Sequence, residues 1–253
     1  MHRPSLVVAS AVTGIAALCA LAVLADHPVG FAAQSDRDPA DPVVHRQLVI
    51  GHSVRGRPII ATALGDPDAS RRGLVVGCIH GDESAGTAIA RRLESVATPK
   101  QALLWVIEDL NPDGAAAGTR QNANGVDLNR NFPWHWRALG RRGDLQYSGP
   151  RPLSEPESRI ARTLILKLRP AVSIWFHQPL GLVDESGGDV RLERRYARLA
   201  GLPLRRLARY PGSAVGWQNH RLPRSTAFVV ELPSRLSKKA TRLYSAAVRQ
   251  LLA

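Results

Sequence analysis

Three strand-length apolar runs in this chain end on side chains that can bind a metal or move a proton. Leu74-Val75-Val76-Gly77-Cys78-Ile79 runs into His80-Gly81-Asp82-Glu83, Val172-Ser173-Ile174-Trp175-Phe176 into His177, and Thr226-Ala227-Phe228-Val229-Val230 into Glu231. Continuous apolar runs of this length read as strands buried on both faces, which occur in sheets with helices packed on either side. In open sheets of that kind, ligands bind beyond the carboxyl ends of the strands. Two histidines and a carboxylate can hold zinc and leave a position for water, and a second carboxylate can activate that water. Each piece alone has a plainer explanation. H-x-x-E can be a helix start with an acidic residue near the dipole, a lone histidine is usually structural, and a strand-end glutamate can pair with an arginine. The coincidence of three such endings argues for a metal site and a hydrolytic reaction.

The rest of the pattern alternates strands with helices. Residues 47–50 and 58–64, separated by Gly51-His52-Ser53-Val54-Arg55-Gly56, read as a β-hairpin. Residues 84–96 have helical spacing, 102–107 form the next strand, and 108–114 are turn-rich. The stretch 115–150 shows little periodicity, and so long an irregular segment in a folded domain is usually functional. Ser154 and Glu157 form a capping-box signature for a helix running to about residue 168, before Pro170. A helix over 191–199, a loop-like segment over 201–223 and an amphipathic helix over 237–252 complete the reading. The expected class is α/β: three layers, α/β/α, around a mixed, mainly parallel central sheet.

The first 25 residues read as a separate object. Residues 6–25 carry no charge, and Val23-Leu24-Ala25 offers small residues where a signal peptidase would cut. A signal peptide is expected, with an uncleaved membrane anchor as the alternative. Residues 26–43, rich in Asp, Pro and Ala, read as a flexible tether, and 44–253 as the catalytic domain. Removing 1–25 leaves Cys78 as the one cysteine, so no intramolecular disulfide is expected.

Formal net charge is +13, and 30 of the 34 basic residues are arginine. A basic exported domain can meet an anionic cell-envelope polymer, while a solvated basic surface is the plain alternative. With aromatic residues at 5%, stacking platforms are scarce and nucleic acid is not an expected partner. Membrane contact is expected only through an uncleaved N-terminal segment.

In order and spacing, His80-Gly81-Asp82-Glu83, Val126-Asp127-Leu128-Asn129-Arg130-Asn131-Phe132-Pro133, His177 and Phe228-Val229-Val230-Glu231-Leu232 resemble the zinc metallocarboxypeptidase family. Gly118-Thr119-Arg120 and Tyr147-Ser148-Gly149 followed by Ser154-Glu155-Pro156-Glu157 are most similar to the bacterial murein-peptide amidases. Those enzymes cut between the γ-carboxyl of D-glutamate and diaminopimelate. The resemblance implies His80, Glu83 and His177 as ligands of one Zn2+ ion and Glu231 as general base. It further implies that Arg120 polarises the scissile carbonyl and that Asn129 and Arg130 grip the carboxylate of the leaving residue.

Digestive members of the family carry a mobile tyrosine shortly before the catalytic glutamate. Here the corresponding stretch reads Gly216-Trp217-Gln218-Asn219-His220, and Tyr210 stands further upstream. Asn219 and His220 are candidates for a hydrogen bond in its place, and the sequence does not choose a replacement for the tyrosine. Trp134-His135-Trp136 is a candidate lining of the pocket mouth. Asp184 and Glu185 read either as a solvated loop, the preferred reading, or as partners for a substrate amino group. The expected activity is an exported zinc amidase or carboxypeptidase on peptidoglycan-derived peptides. The alternatives are an exported carboxypeptidase on ordinary peptides, an aminoacylase-type zinc deacylase, and a catalytically silent wall-binding module.

Overall fold

The computed structural model describes residues 43–96 and 99–253, so the segment 1–25 and all but the last residue of the 26–43 tether lie outside the described residues. The expected hairpin is present as β1 (Val44–His52) and β2 (Pro58–Gly65), antiparallel with His52 opposite Pro58. Next come β3 (Arg72–Val76), α1 (Ala85–Ser95), β4 (Leu103–Ile107), the short α2 (Pro112–Ala117) and α3 (Pro156–Leu168). They are followed by β5 (Val172–His177), β6 (Leu180–Asp184), α4 (Val190–Ala200), β7 (Leu204–Arg205), α5 (Ala214–Arg221), β8 (Thr226–Pro233) and α6 (Lys238–Leu252). No helix among the described residues is long and apolar enough to cross a membrane.

The eight strands form one sheet in the order β1-β2-β4-β3-β5-β8-β6-β7. Its middle, β4-β3-β5-β8, is parallel, while β1, β2 and β6 pair antiparallel at their junctions. Strand alternation sorts the side chains between two layers. Val172, Ile174 and Phe176 of β5 and Phe228, Val230 and Leu232 of β8 join the main core under α1, α4 and α6. Full burial of side chains like Phe176 and Phe228 stabilises the fold by roughly 1.5–3 kcal/mol each. The opposite face carries α3 against β1 and α5 against β8. Ser173, Trp175 and His177 have the other parity: Ser173 Oγ accepts from Gln218 Nε2 of α5 at 2.8 Å, and Trp175 meets Phe132 edge-on. The same parity puts Glu231 on that face.

Four sequence expectations are corrected. The run 74–79 leaves the sheet after Val76, because the chain turns at Gly77, where a Cβ would stand 2.5 Å from the Glu108 carbonyl oxygen. The capping box does not form. Glu155 is the N-cap residue of α3, without a side-chain cap, and the Glu157 carboxylate instead accepts from Val54 N and Asn122 Nδ2. The segment 201–223 is not a plain loop, since it holds β7 and α5, the latter capped by Ser213 Oγ accepting from Gly216 N. The Gly-containing stretch after His177 contains β6, which pairs with β8.

Candidate active site

β3, β5 and β8 are neighbours running in the same direction, so their carboxyl ends open side by side. His177 is the last residue of β5 and lies directly opposite Glu231 in the β5–β8 register. The 80–83 turn hangs beyond β3, closed by Glu83 N donating to His80 O at 2.9 Å. Gly81 lets this turn lie against α2, because a Cβ there would stand 2.0 Å from the Gly114 backbone.

The turn and the strand end bring three donor groups together. His80 Nδ1 lies 3.0 Å from Glu83 Oε1, His177 Nδ1 lies 2.8 Å from Glu83 Oε2, and the two Nδ1 atoms are 3.1 Å apart. His80 Nε2 is 3.0 Å from Asp127 Oδ1. An imidazole that gives its Nε2–H to a carboxylate turns the Nδ1 lone pair the other way. Two ring nitrogens this close share at most one proton, and Glu83 adds two more acceptor oxygens at the same point. This nitrogen and oxygen donor set suits zinc. Among the described residues, His80, Glu83 and His177 form the one group of this kind.

The surrounding charges hold the arrangement. Burial works against an ionised Asp127, but His80, then Arg120 and Arg130, overcome it and keep the carboxyl well below its usual range. Burial likewise opposes ionised Glu83, and the two imidazoles overcome it. Glu231 is treated differently. Burial, followed by the charge of Glu83, pushes its carboxyl up to about 7, and its Oε2 is buried without a partner. A carboxylate with that environment accepts a proton readily near neutrality.

Arg120 donates from Nε to Asp127 Oδ2 at 2.9 Å and from NH1 to Glu83 Oε1 at 2.8 Å. Asn129 and Arg130 lie on a 3-10 turn, Leu128–Arg130, capped by Asp127. Asn129 Oδ1 accepts from Ala214 N, which leaves its Nδ2 facing the cleft, 3.5 Å from His177 Nε2. Arg130 is only 4% exposed, its NH1 donates to the Asn129 carbonyl, and its Nε has no partner. No carboxylate among the described residues forms an ion pair with it. The Tyr210 ring lies over the guanidinium, 4.1 Å from Cζ to the ring centroid.

All seven candidate residues, His80, Glu83, Arg120, Asn129, Arg130, His177 and Glu231, line one cavity of about 540 Å³. Asp127, to which the sequence assigns no role, holds both His80 and Arg120. It stands in the D-L-N-R-N-F-P stretch, and the signal for it is that a histidine able to bind metal needs a second partner for its other ring nitrogen. Tyr210, despite its place upstream in the chain, lines the cavity. The two candidate replacements for the loop tyrosine are occupied elsewhere. Asn219 is spent on the Ser186 and Ala227 backbone, and His220 stacks on Trp134 with centroids 3.3 Å apart. Trp136 donates to the Ser148 carbonyl, and the 134–136 stretch does not line the cavity. Asp184 is no solvated loop residue: it is 4% exposed, ends β6 and lines the cavity.

Strand ends that gather metal-competent donors beside a carboxylate with one free, buried oxygen define a metallohydrolase. Comparison with known proteins gives the particular family: residues 37–179 match the zinc carboxypeptidase model, and the chain belongs to that family of metallopeptidases. It is 34% identical over 217 residues to murein peptide amidase A of Escherichia coli (strain K12), covering 80% of this chain and 87% of the relative. The Vibrio campbellii murein peptide amidase A is 35% identical over 199 residues, covering 72% and 77%. The crystal structure of murein-tripeptide amidase MpaA from Escherichia coli O157 superposes with a TM-score of 0.69 at 31% identity, over 85% of this chain and 96% of that one. Carboxypeptidase A from Helicoverpa armigera, at 17% identity, shares the fold with a TM-score of 0.72, over 83% and 68%.

Proposed function

We propose that this protein is a zinc-dependent amidase that hydrolyses the bond between the γ-carboxyl of D-glutamate and diaminopimelate in murein-derived peptides. The observation that carries this reading is Arg130. A buried guanidinium with an unpartnered Nε calls for an anionic ligand, and a carboxylate matches its fork. The murein peptide amidases similar to this chain support the choice of peptide.

His80, Glu83 and His177 would hold one zinc ion, which when bound supplies Lewis-acid polarisation and lowers the pKa of water. Arg130 and the Asn129 amide bind the carboxylate of the leaving residue and so set the scissile amide in the cleft. Glu231 takes the proton of the attacking water and passes it to the departing amine. Arg120, anchored through Nε and NH1, turns its NH2 to the carbonyl oxygen as negative charge develops there. Asp127 keeps His80 and Arg120 in place and takes no part in proton transfer.

A second reading, carboxypeptidase action on ordinary peptides, is favoured by Tyr210, which brings a tyrosine to the carboxylate grip. Mass spectrometry of products from an L-Ala-γ-D-Glu-diaminopimelate peptide and a standard C-terminal peptide, each incubated with the zinc-loaded protein, separates the two. Release of diaminopimelate is expected, and exclusive cleavage of the standard peptide would overturn the amidase reading.

The uncharged run over residues 6–25 supports action outside the cytoplasmic membrane, and the net charge of +13 supports contact with anionic envelope polymers. N-terminal sequencing of the protein from medium and membrane fractions tests export. A mature chain starting near Asp26 is the expected result, and an intact chain confined to the cytoplasm would refute it.

A further inference from the structure

The net positive charge of this chain is concentrated in its last quarter. Residues 190–253 hold 14 of the 34 lysines and arginines but two of the 21 acidic residues, so they carry +12 of the formal +13. Neither acid neutralises the outer surface, because Glu193 is 0% exposed and Glu231 lines the active-site cavity. On α4 the exposed positions are Arg191, Arg194, Arg195 and Arg198, every one an arginine. At this helical spacing they form one stripe along the helix. α6 adds Lys238, Lys239 and Arg242, also exposed, and contains no acidic residue.

The fold gathers these charges on one side. α4 and α6 pack against each other over the main core, on the side of the sheet away from His177 and Glu231. Tyr196 and Ala197 of α4 and Tyr244, Ala247 and Val248 of α6 are buried in that core, so the basic positions face outward. Arg195 NH2 donates to the Gln250 carbonyl at 2.9 Å and joins the two helices. Arg191 is held by Asp189, the N-cap residue of α4. Arg194, Arg198, Lys238, Lys239 and Arg242 form no ion pair among the described residues. Leu243, 44% exposed, stands among them, next to Arg242 and one turn beyond Lys239.

We infer that the α4–α6 face is a docking surface for a membrane rich in anionic phospholipid. Its unpaired cations present one sign of charge over two adjacent helices, and their mutual repulsion is relieved when anions face them. Phosphate oxygens suit the guanidinium fork, which takes them two at a time. A hydrated polymer of the same charge would satisfy the cations but leave Leu243 in water. A bilayer satisfies both, since the basic side chains stay at the headgroups while the apolar one reaches the acyl boundary. The contact does not involve residues 6–25. Neither His177 nor Glu231 lies on the docked face, so the cleft stays open to peptides. The inference goes beyond the proposed peptide cleavage and does not rest on it.

The test measures partition of the full chain onto vesicles of equal parts phosphatidylglycerol and phosphatidylcholine, and onto vesicles of phosphatidylcholine alone. The run over residues 6–25 is common to both titrations, so the ratio of the two partition coefficients reads the charged face. Wild type is expected to favour the anionic vesicles by roughly 100-fold or more at low salt. The preference should vanish in about 1 M sodium chloride, where the screening length falls to roughly 3 Å. The triple variant Arg194→Gln, Arg198→Gln, Arg242→Gln should lose about fivefold of the ratio for each charge removed, which brings it close to one. A control that removes three charges elsewhere, Arg162→Gln, Arg221→Gln, Arg224→Gln, should stay within about fivefold of wild type. Leu243→Ser should weaken binding to the anionic vesicles and leave the salt dependence unchanged. Thermal melts matching wild type show that each variant is folded. A wild-type ratio near one, or an equal fall in the two triple variants, would overturn the inference. Wild-type binding in Leu243→Ser, together with full displacement from the vesicles by soluble polyphosphate, would assign the face to a phosphate polymer and overturn the membrane as its partner.

Discussion

His80 Nε2 and Asp127 Oδ1 lie 3.0 Å apart with both side chains at most 1% exposed, which fixes the orientation of the imidazole from behind. Replacing Asp127 with Ala frees the ring and strips Arg120 Nε of its partner. Zinc affinity, measured by chelator competition, is expected to fall about 10–100-fold. His177→Ala removes a donor outright, and elemental analysis should find the zinc content well below one ion per chain. Wild-type affinity in Asp127→Ala would remove the orienting role of the carboxylate.

Glu231→Gln keeps the shape of the side chain but cannot accept a proton near neutrality. The variant should retain zinc and substrate affinity while kcat falls roughly 100- to 10,000-fold. Turnover close to wild type would place the base elsewhere.

Arg130→Ala tests the carboxylate grip. In wild type, converting the substrate's terminal carboxylate to a carboxamide leaves the buried guanidinium unpaired, and kcat/KM should drop by about 2 kcal/mol or more, roughly 30-fold. In the variant the acid and the amide should be cut at similar, low rates. Equal rates for the two in wild type would take recognition away from Arg130.

Tyr210 contributes its ring to Arg130. Tyr210→Ala should raise KM by the loss of about 0.5–1 kcal/mol of cation–π attraction, while Tyr210→Phe keeps the ring and should stay close to wild type. A fall in Phe as deep as in Ala would show that the hydroxyl reaches the substrate.

Glu193, on α4, accepts from Ser186 N and Gly188 N, but burial dominates and pushes its carboxyl from the ordinary 4.5 up to about 7. A carboxyl raised on folding adds stability that is complete below pH 4.5 and is lost as pH rises through about 7. Wild type should therefore lose stability relative to Glu193→Gln across that window, by up to a few kcal/mol. Urea melts of both proteins at the two ends of the window measure the difference in slope. Parallel pH profiles would rule out a titrating Glu193.

The sequence reading follows the parts of the molecule governed by short-range patterns. β5 and β8 were visible because each is a single buried run, and their matching parity anticipates His177 and Glu231 on one face. β6 was missed because Leu180-Gly181-Leu182-Val183-Asp184 carries two glycine-like signals of a loop, its own Gly181 and the nearby Gly187-Gly188, and becomes a strand only by pairing with β8. The capping box failed because Glu157 found partners in Val54 and Asn122, remote in the chain, that no local rule contains.

For this protein the sequence by itself determined the α/β alternation, the donor types at the strand ends and the arginine-bearing motif, since each depends on periodicity or on neighbours a few residues apart. Tertiary structure alone decided which groups serve together. Asp127 became the partner of His80 across 47 positions, Tyr210 came over Arg130, and Asp184 was buried against Arg209 instead of lying in solvent. The physical reason is that hydrogen bonds and ion pairs of this kind form between atoms within a few ångströms, and only the folded sheet and its loops bring such distant positions that close.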